Sequence, residues 1–179
     1  MLCHGWVLYL VERKKIVIVG IPGVGKTSLV TRIVELINSE KHCASVHSYG
    51  TVMMDEAGNS QVSDRDSLRH LPVSQQKDLQ KQAATAISQL TDDVVFIDTH
   101  AFISTSEGFY PGLPYHVIQI LEPTHLIAIS ARPEEIYNRR MKDDTRNRDK
   151  VSIEGIKKEL AVQDAMLASC SVLSGSPLK

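Results

Sequence analysis

Eight consecutive residues, Gly20-Ile21-Pro22-Gly23-Val24-Gly25-Lys26-Thr27, fill every specified position of the pattern G-x-x-x-x-G-K-[ST]. The flanks suit the pattern. Ile16-Val17-Ile18-Val19 is a β-branched run of the kind that forms a buried strand. After the octet, Leu29, Val30, Ile33, Val34 and Ile37 recur at helical spacing. A glycine-rich turn between strand and helix lets backbone N–H groups close around a polyphosphate, with the positive end of the helix facing the anion. In that arrangement Lys26 reaches the β- and γ-phosphates and Thr27 is placed to bind Mg²⁺. The pattern therefore implies a bound nucleoside triphosphate and constrains the fold to a strand–loop–helix start.

Little else in the composition pulls against this. A chain of 179 residues is one domain by size and can bury a sizeable core. With 42% apolar and 23% charged residues it has ordinary globular proportions. A net charge of −1 gives no electrostatic reason to expect a nucleic-acid or acidic-membrane partner. Cys3, Cys43 and Cys170 are widely separated and odd in number, so they read as reduced thiols of a cytoplasmic protein. The histidines show no metal-ligand spacing. Trp6-Val7-Leu8-Tyr9-Leu10-Val11 is apolar but far shorter than the roughly 20 residues of a membrane span, and its basic residues follow it instead of leading it. Residues 1–13 are expected to be an extension of the domain.

Beyond the loop the pattern alternates strand and helix. Strands are expected at 16–19, 44–49, 94–97 and 126–129, and helices at 27–38, 116–121 and 134–141. A helical middle carries Leu79, Ala83, Ala86, Ile87 and Leu90. The segment from Asp98 to Pro114 reads as a loop rich in Gly and Pro. Ser152 is placed to cap a last helix with Ile156, Leu160, Ala161 and Met166 on one face. Repeated βα units predict a parallel sheet covered by helices on both faces, the three-layer α/β/α sandwich of a phosphate-loop NTPase, in a single domain over 1–179.

Two further elements carry chemistry. Val94-Val95-Phe96-Ile97-Asp98 is an apolar strand ending in a carboxylate, which such enzymes use opposite the loop to hold Mg²⁺. Downstream, Arg132, Arg139, Arg140, Lys142, Arg146, Arg148 and Lys150 mingle with five acidic residues. A solvated helix face accounts for Arg132, Glu134 and Glu135. Arg146 and Arg148 fall between helices, where a guanidinium fork suits a phosphate-clamping lid over about 140–150.

These elements together resemble the archaeal adenylate kinase family. The likeness rests on residues 20–28, Tyr49-Gly50-Thr51-Val52-Met53, Asp64-Arg65-Asp66 with Arg69, Ile97-Asp98-Thr99-His100, Gly112-Leu113-Pro114 and Thr145-Arg146-Asn147-Arg148-Asp149. It runs in order from about residue 14 to 179. The resemblance implies the Mg²⁺-dependent reaction of ATP and AMP to two ADP, in a cytoplasmic protein that forms homotrimers. It implies that Gly20, Ile21, Pro22, Gly23, Val24, Gly25, Lys26, Thr27 and Ser28 hold the donor phosphates. Gly50 and Thr51 at the tip of the second strand, with Arg65, Arg69 and His100, would meet AMP, in an acceptor segment over about 50–90. Arg140, Arg146 and Arg148 would clamp the transferring phosphoryl with Lys26, and Thr27 and Asp98 would hold the metal. The family pattern also calls for a final strand and helix after Gly175, absent from the sequence as given. The expected result is an unpaired edge on the strand at 126–129.

Two rivals are compatible with the same loop: a nucleoside monophosphate kinase for another base, and a phosphate-loop ATPase that works as a switch or assembly factor. A GTPase is excluded, because no Asn-Lys-x-Asp element is present and Asp98-Thr99-His100-Ala101 lacks the glycine of an Asp-x-x-Gly switch.

Overall fold

The computed structural model describes residues 13–58, 68, 71–105, 108–142 and 152–179. The apolar run at 6–11, Arg65, Arg69, Arg146 and Arg148 lie outside them. Four strands, β1 (Lys14–Val19), β2 (Ala44–Ser48), β3 (Val94–Thr99) and β6 (His125–Ala128), form a parallel sheet in the order β2-β3-β1-β6. Its helices are α1 (Lys26–Ser39), α2 (Tyr49–Ala57), α3 (Val73–Ser88), α4 (Tyr115–Leu121), α5 (Pro133–Met141) and α6 (Ile153–Ser174).

Successive side chains on a strand point to opposite faces, and the central strands are apolar on both. Ile18 and Phe96 pack with Val30 of α1, backed by Ile33, Val34 and Ile37. Val17, Val19, Val95 and Ile97 face the other way, into the larger cluster built from Ile87 of α3, Val117 and Leu121 of α4, Ile136 of α5, and Ile156 and Leu167 of α6. The three-layer parallel sandwich expected from the βα alternation is therefore present.

Four local expectations differ from the structure. Gly50 and Thr51 lie in the first turn of α2 and not on a strand, because Tyr49 anchors that turn inside the core and donates its hydroxyl to Gln80 O at 2.5 Å. The segment after Asp98 is not all loop: β4 (Phe102–Thr105) and β5 (Gly108–Pro111) pair antiparallel. Phe102 and Phe109 stack edge-on across this hairpin at 4.8 Å, and the Lys158 ammonium lies 5.6 Å from the Phe109 ring centre. On α6, Ser152 Oγ accepts the Gly155 N–H as expected of a cap, but Ala161 is exposed. The buried stripe is Ile156, Gln163, Leu167 and Cys170. The β6 edge is not open either. After Gly175 turns the chain with a φ of 69°, Leu178 bridges Leu126 in parallel. Leu126 N–H donates to Pro177 O and Ala128 N–H to Lys179 O. Ser176 fixes this return by donating its hydroxyl to Pro123 O.

A candidate phosphoryl-transfer site at the carboxyl ends of the strands

The register of the sheet brings the two chemical elements together. Ile18 pairs with Asp98 and Val19 with Thr99, so the loop leaving β1 emerges beside the end of β3. Ser48 pairs with Asp98 from the other side, which places Gly50 and Thr51 at the same edge. Ligands of open α/β sheets bind outside the carboxyl ends of strands, and β1 and β3 are the two central ones here.

Within the loop, Gly23 and Gly25 both have a φ of 92°, a region that side chains with a Cβ rarely adopt. Gly25 caps α1, so the N–H groups of the first helical turn open toward the loop. At Gly20 a Cβ would come within 2.7 Å of Val24 Cγ2, so this position too requires glycine.

Lys26 is 8% exposed. Its ammonium pairs directly with the Asp98 carboxylate and donates to Thr99 O at 2.9 Å. Lys26 and Asp98, 72 residues apart in sequence, thus meet at the mouth of the loop, and each is the other's counterion. Thr27 follows in α1 with an exposed side chain, as does Ser28. One hydroxyl and one carboxylate form a donor set that fits Mg²⁺, an ion that takes its remaining ligands from phosphate and water. Among the described residues no group of three or more His, Cys, Asp or Glu could hold a metal unaided.

His100 directly follows β3, and its backbone is tightly constrained. A Cβ on Gly112 would lie 2.1 Å from His100 O, and Gly112 N–H donates to Ala101 O at 2.9 Å. The hairpin β4–β5 thereby closes onto the end of the strand that carries Asp98. The Gly112-Leu113-Pro114 element owes its glycine to this approach.

The arginines in and just before α5 divide sharply. Arg132 is exposed and pairs with Glu135, the surface role expected of it. Arg140, whose side chain is only 9% exposed, donates from Nε to Pro22 O at 2.8 Å and from Nη2 to Glu159 Oε2 at 2.7 Å. Arg139 donates to Val24 O at 3.0 Å and to Gly23 O at 3.3 Å. In the sequence Arg139 is only one member of a run of mixed charge, and Glu159 is not singled out. Their contacts to the loop and to Arg140 span 19 to 116 residues, and no local pattern signals them.

The family described as AAA domain matches residues 19–157. Curated relatives cover nearly the whole chain. An adenylate kinase of Methanocaldococcus jannaschii is 36% identical over 94% of this chain and 88% of its own. One of Thermoplasma acidophilum is 40% identical over 91% and 86%, and one of Sulfurisphaera tokodaii 37% identical over 91% and 87%. Among solved structures, shikimate kinases from Acinetobacter baumannii and Bacteroides thetaiotaomicron each superpose with a TM-score of 0.59 at 11% identity. They cover 93% and 92% of this chain, and 83% and 85% of their own. At that identity the likeness speaks for the fold alone.

Proposed function

The chain belongs to the adenylate kinase family, and from that membership we propose how its residues move a phosphoryl group. The activity is that of an adenylate kinase, a phosphotransferase that converts ATP and AMP reversibly to two ADP. The observation that carries the residue-level reading is the meeting of Lys26 with Asp98 at the mouth of the loop.

ATP lays its phosphates along residues 20–28, where loop and helix amides face the anion. Lys26 exchanges the Asp98 carboxylate for the phosphate oxygens between the β and γ positions. Thr27 and Asp98 would hold Mg²⁺, which would supply positive charge to offset the charge that develops on transfer. AMP occupies the side of the site nearer β2, contacted by Gly50, Thr51 and His100, with Arg65 and Arg69 on its phosphate. Arg146 and Arg148 stabilise the transferring group, and Arg140, which bonds Pro22 O behind the loop, acts through the loop and not by direct contact. An AMP phosphate oxygen attacks the γ-phosphorus in line, and no protein nucleophile is required. The residues contribute position and charge, which carry most of the rate in such transfers. The same reading makes the protein a cytoplasmic homo-oligomer, a trimer.

ADP formation from ATP, measured with and without AMP and beside UMP, CMP and dTMP, tests this. Formation that depends on AMP and is far slower with the other acceptors is the expected result. ATP hydrolysis indifferent to any monophosphate would point instead to a switch ATPase and overturn the reading.

A further inference from the structure

The outer side of the phosphate loop is held by adjacent arginines of α5. Arg140 takes the Pro22 carbonyl, and Arg139 takes those of Val24 and Gly23. In a trans peptide the N–H points opposite to the carbonyl. Drawing the Pro22 carbonyl toward α5 therefore turns the Gly23 N–H away from it, and drawing the Val24 carbonyl does the same for the Gly25 N–H. Amides turned in this way form an anion-binding concavity. The contact is close: a Cβ on Gly23 would sit 3.2 Å from Arg140 Cγ and 3.3 Å from Ile136 Cγ2.

Arg140 is held in turn by Glu159 of α6, and the two side chains are 9% and 16% exposed. A pair so covered is weakly screened, and removing one partner leaves the other charge without compensation. A carboxylate offers nothing attractive to a polyphosphate, so a direct ligand role does not explain Glu159. We propose that Glu159 is a positioning residue for phosphoryl transfer. By fixing Arg140 against Pro22 O, it keeps the Pro22–Gly23 peptide turned with its N–H toward the donor phosphates. The proposal rests on the reading that residues 20–28 hold those phosphates.

A merely structural α5–α6 pair would change the melting temperature and leave nucleotide selectivity alone. The test compares the parent chain with Glu159→Gln, Arg140→Gln, the double variant and Glu159→Asp. Its readouts are melting temperature, ATP affinity by calorimetry, and kcat with KM for each nucleotide. Replacing the carboxylate by a neutral amide oxygen keeps an acceptor for Arg140 but removes the charge that holds it, and should weaken ATP binding about tenfold in Glu159→Gln. The KM for AMP should stay within about twofold. Because Glu159 acts through Arg140, the double variant should be no worse than Arg140→Gln alone. Glu159→Asp, which keeps the charge on a shorter stem, should fall between parent and Glu159→Gln, and decides the matter if Glu159→Gln does not fold.

Unchanged ATP affinity in Glu159→Gln or Glu159→Asp, equal losses for ATP and AMP, or multiplicative losses in the double variant would overturn the proposal. A parent chain that fails to bind ATP would overturn the functional reading as well, whereas a parent that binds ATP indifferently to Glu159 overturns this proposal alone.

Discussion

Gly112→Ala tests how tightly the end of β3 is clamped. The added Cβ would lie 2.1 Å from His100 O and 3.1 Å from His100 C, both backbone atoms with no rotamer to yield. The two segments must part by about 1 Å, which costs the 1–3 kcal/mol typical of overpacking. The 2.9 Å bond from Gly112 N–H to Ala101 O is lost with that movement, at about 1 kcal/mol more. A combined penalty of about 2–4 kcal/mol lowers the melting temperature of a domain this size by roughly 5–15 °C. The displaced backbone is that of His100, two residues beyond Asp98, so the KM for AMP should rise more than the KM for ATP. Thermal melting by circular dichroism and steady-state kinetics measure the two effects. A melting temperature within about 2 °C of the parent and an unchanged KM for AMP would show that the approach is not a real constraint.

Three further outcomes follow from the site and its surroundings. Lys26→Ala should keep the fold and lower the transfer rate by about 10²-fold or more, the scale of losing one oriented charge-stabilising donor; near-parental turnover would sink the phosphate-loop assignment. Arg148→Lys should be severely impaired in ADP formation although it keeps the charge, because an ammonium cannot reproduce a bidentate guanidinium contact. Little loss with Lys at both 146 and 148 would make these residues ordinary surface charge. Burial, with Lys81 and Lys77 nearby, pushes the His116 imidazole below its ordinary 6.5. Just below that pH the unfolded chain takes up a proton that the folded chain resists, so stability falls as the pH drops through the window. His116→Phe should therefore flatten the decline in melting temperature between about pH 7 and pH 5; an unchanged slope in that variant would refute the assignment.

What the sequence showed, and what it hid, follows the range of each interaction. The loop and its flanking strand and helix are contiguous, and periodicity marked β1 and α1 to within two residues at either end. Asp98 was legible because an apolar strand led into it. α2 was hidden because Gly50, Thr51 and Val52 are weak helix formers. Its turn is set by Tyr49, whose hydroxyl bonds Gln80 O 31 residues away. The β4–β5 hairpin was obscured by the glycines and prolines around it. The pairing of residues 177–179 with β6 involves too few residues to show an alternating pattern.

The arginines in and just before α5 show the limit most clearly. Arg132 and Arg140 are the same residue type in one run of mixed charge, yet their side chains are 79% and 9% exposed. Arg132 pairs with Glu135 one turn along, in water, where such a pair contributes little. Arg140 faces a carbonyl 118 residues earlier and a carboxylate 19 residues later, so its role depends on α5 lying between the loop and α6. Charge patterning reads only neighbours on one helix, and the second partner of Arg140 enters through the topology of the sheet. A substitution at Glu159 is therefore predicted to act at Pro22, a residue that neither sequence distance nor helix periodicity connects to it.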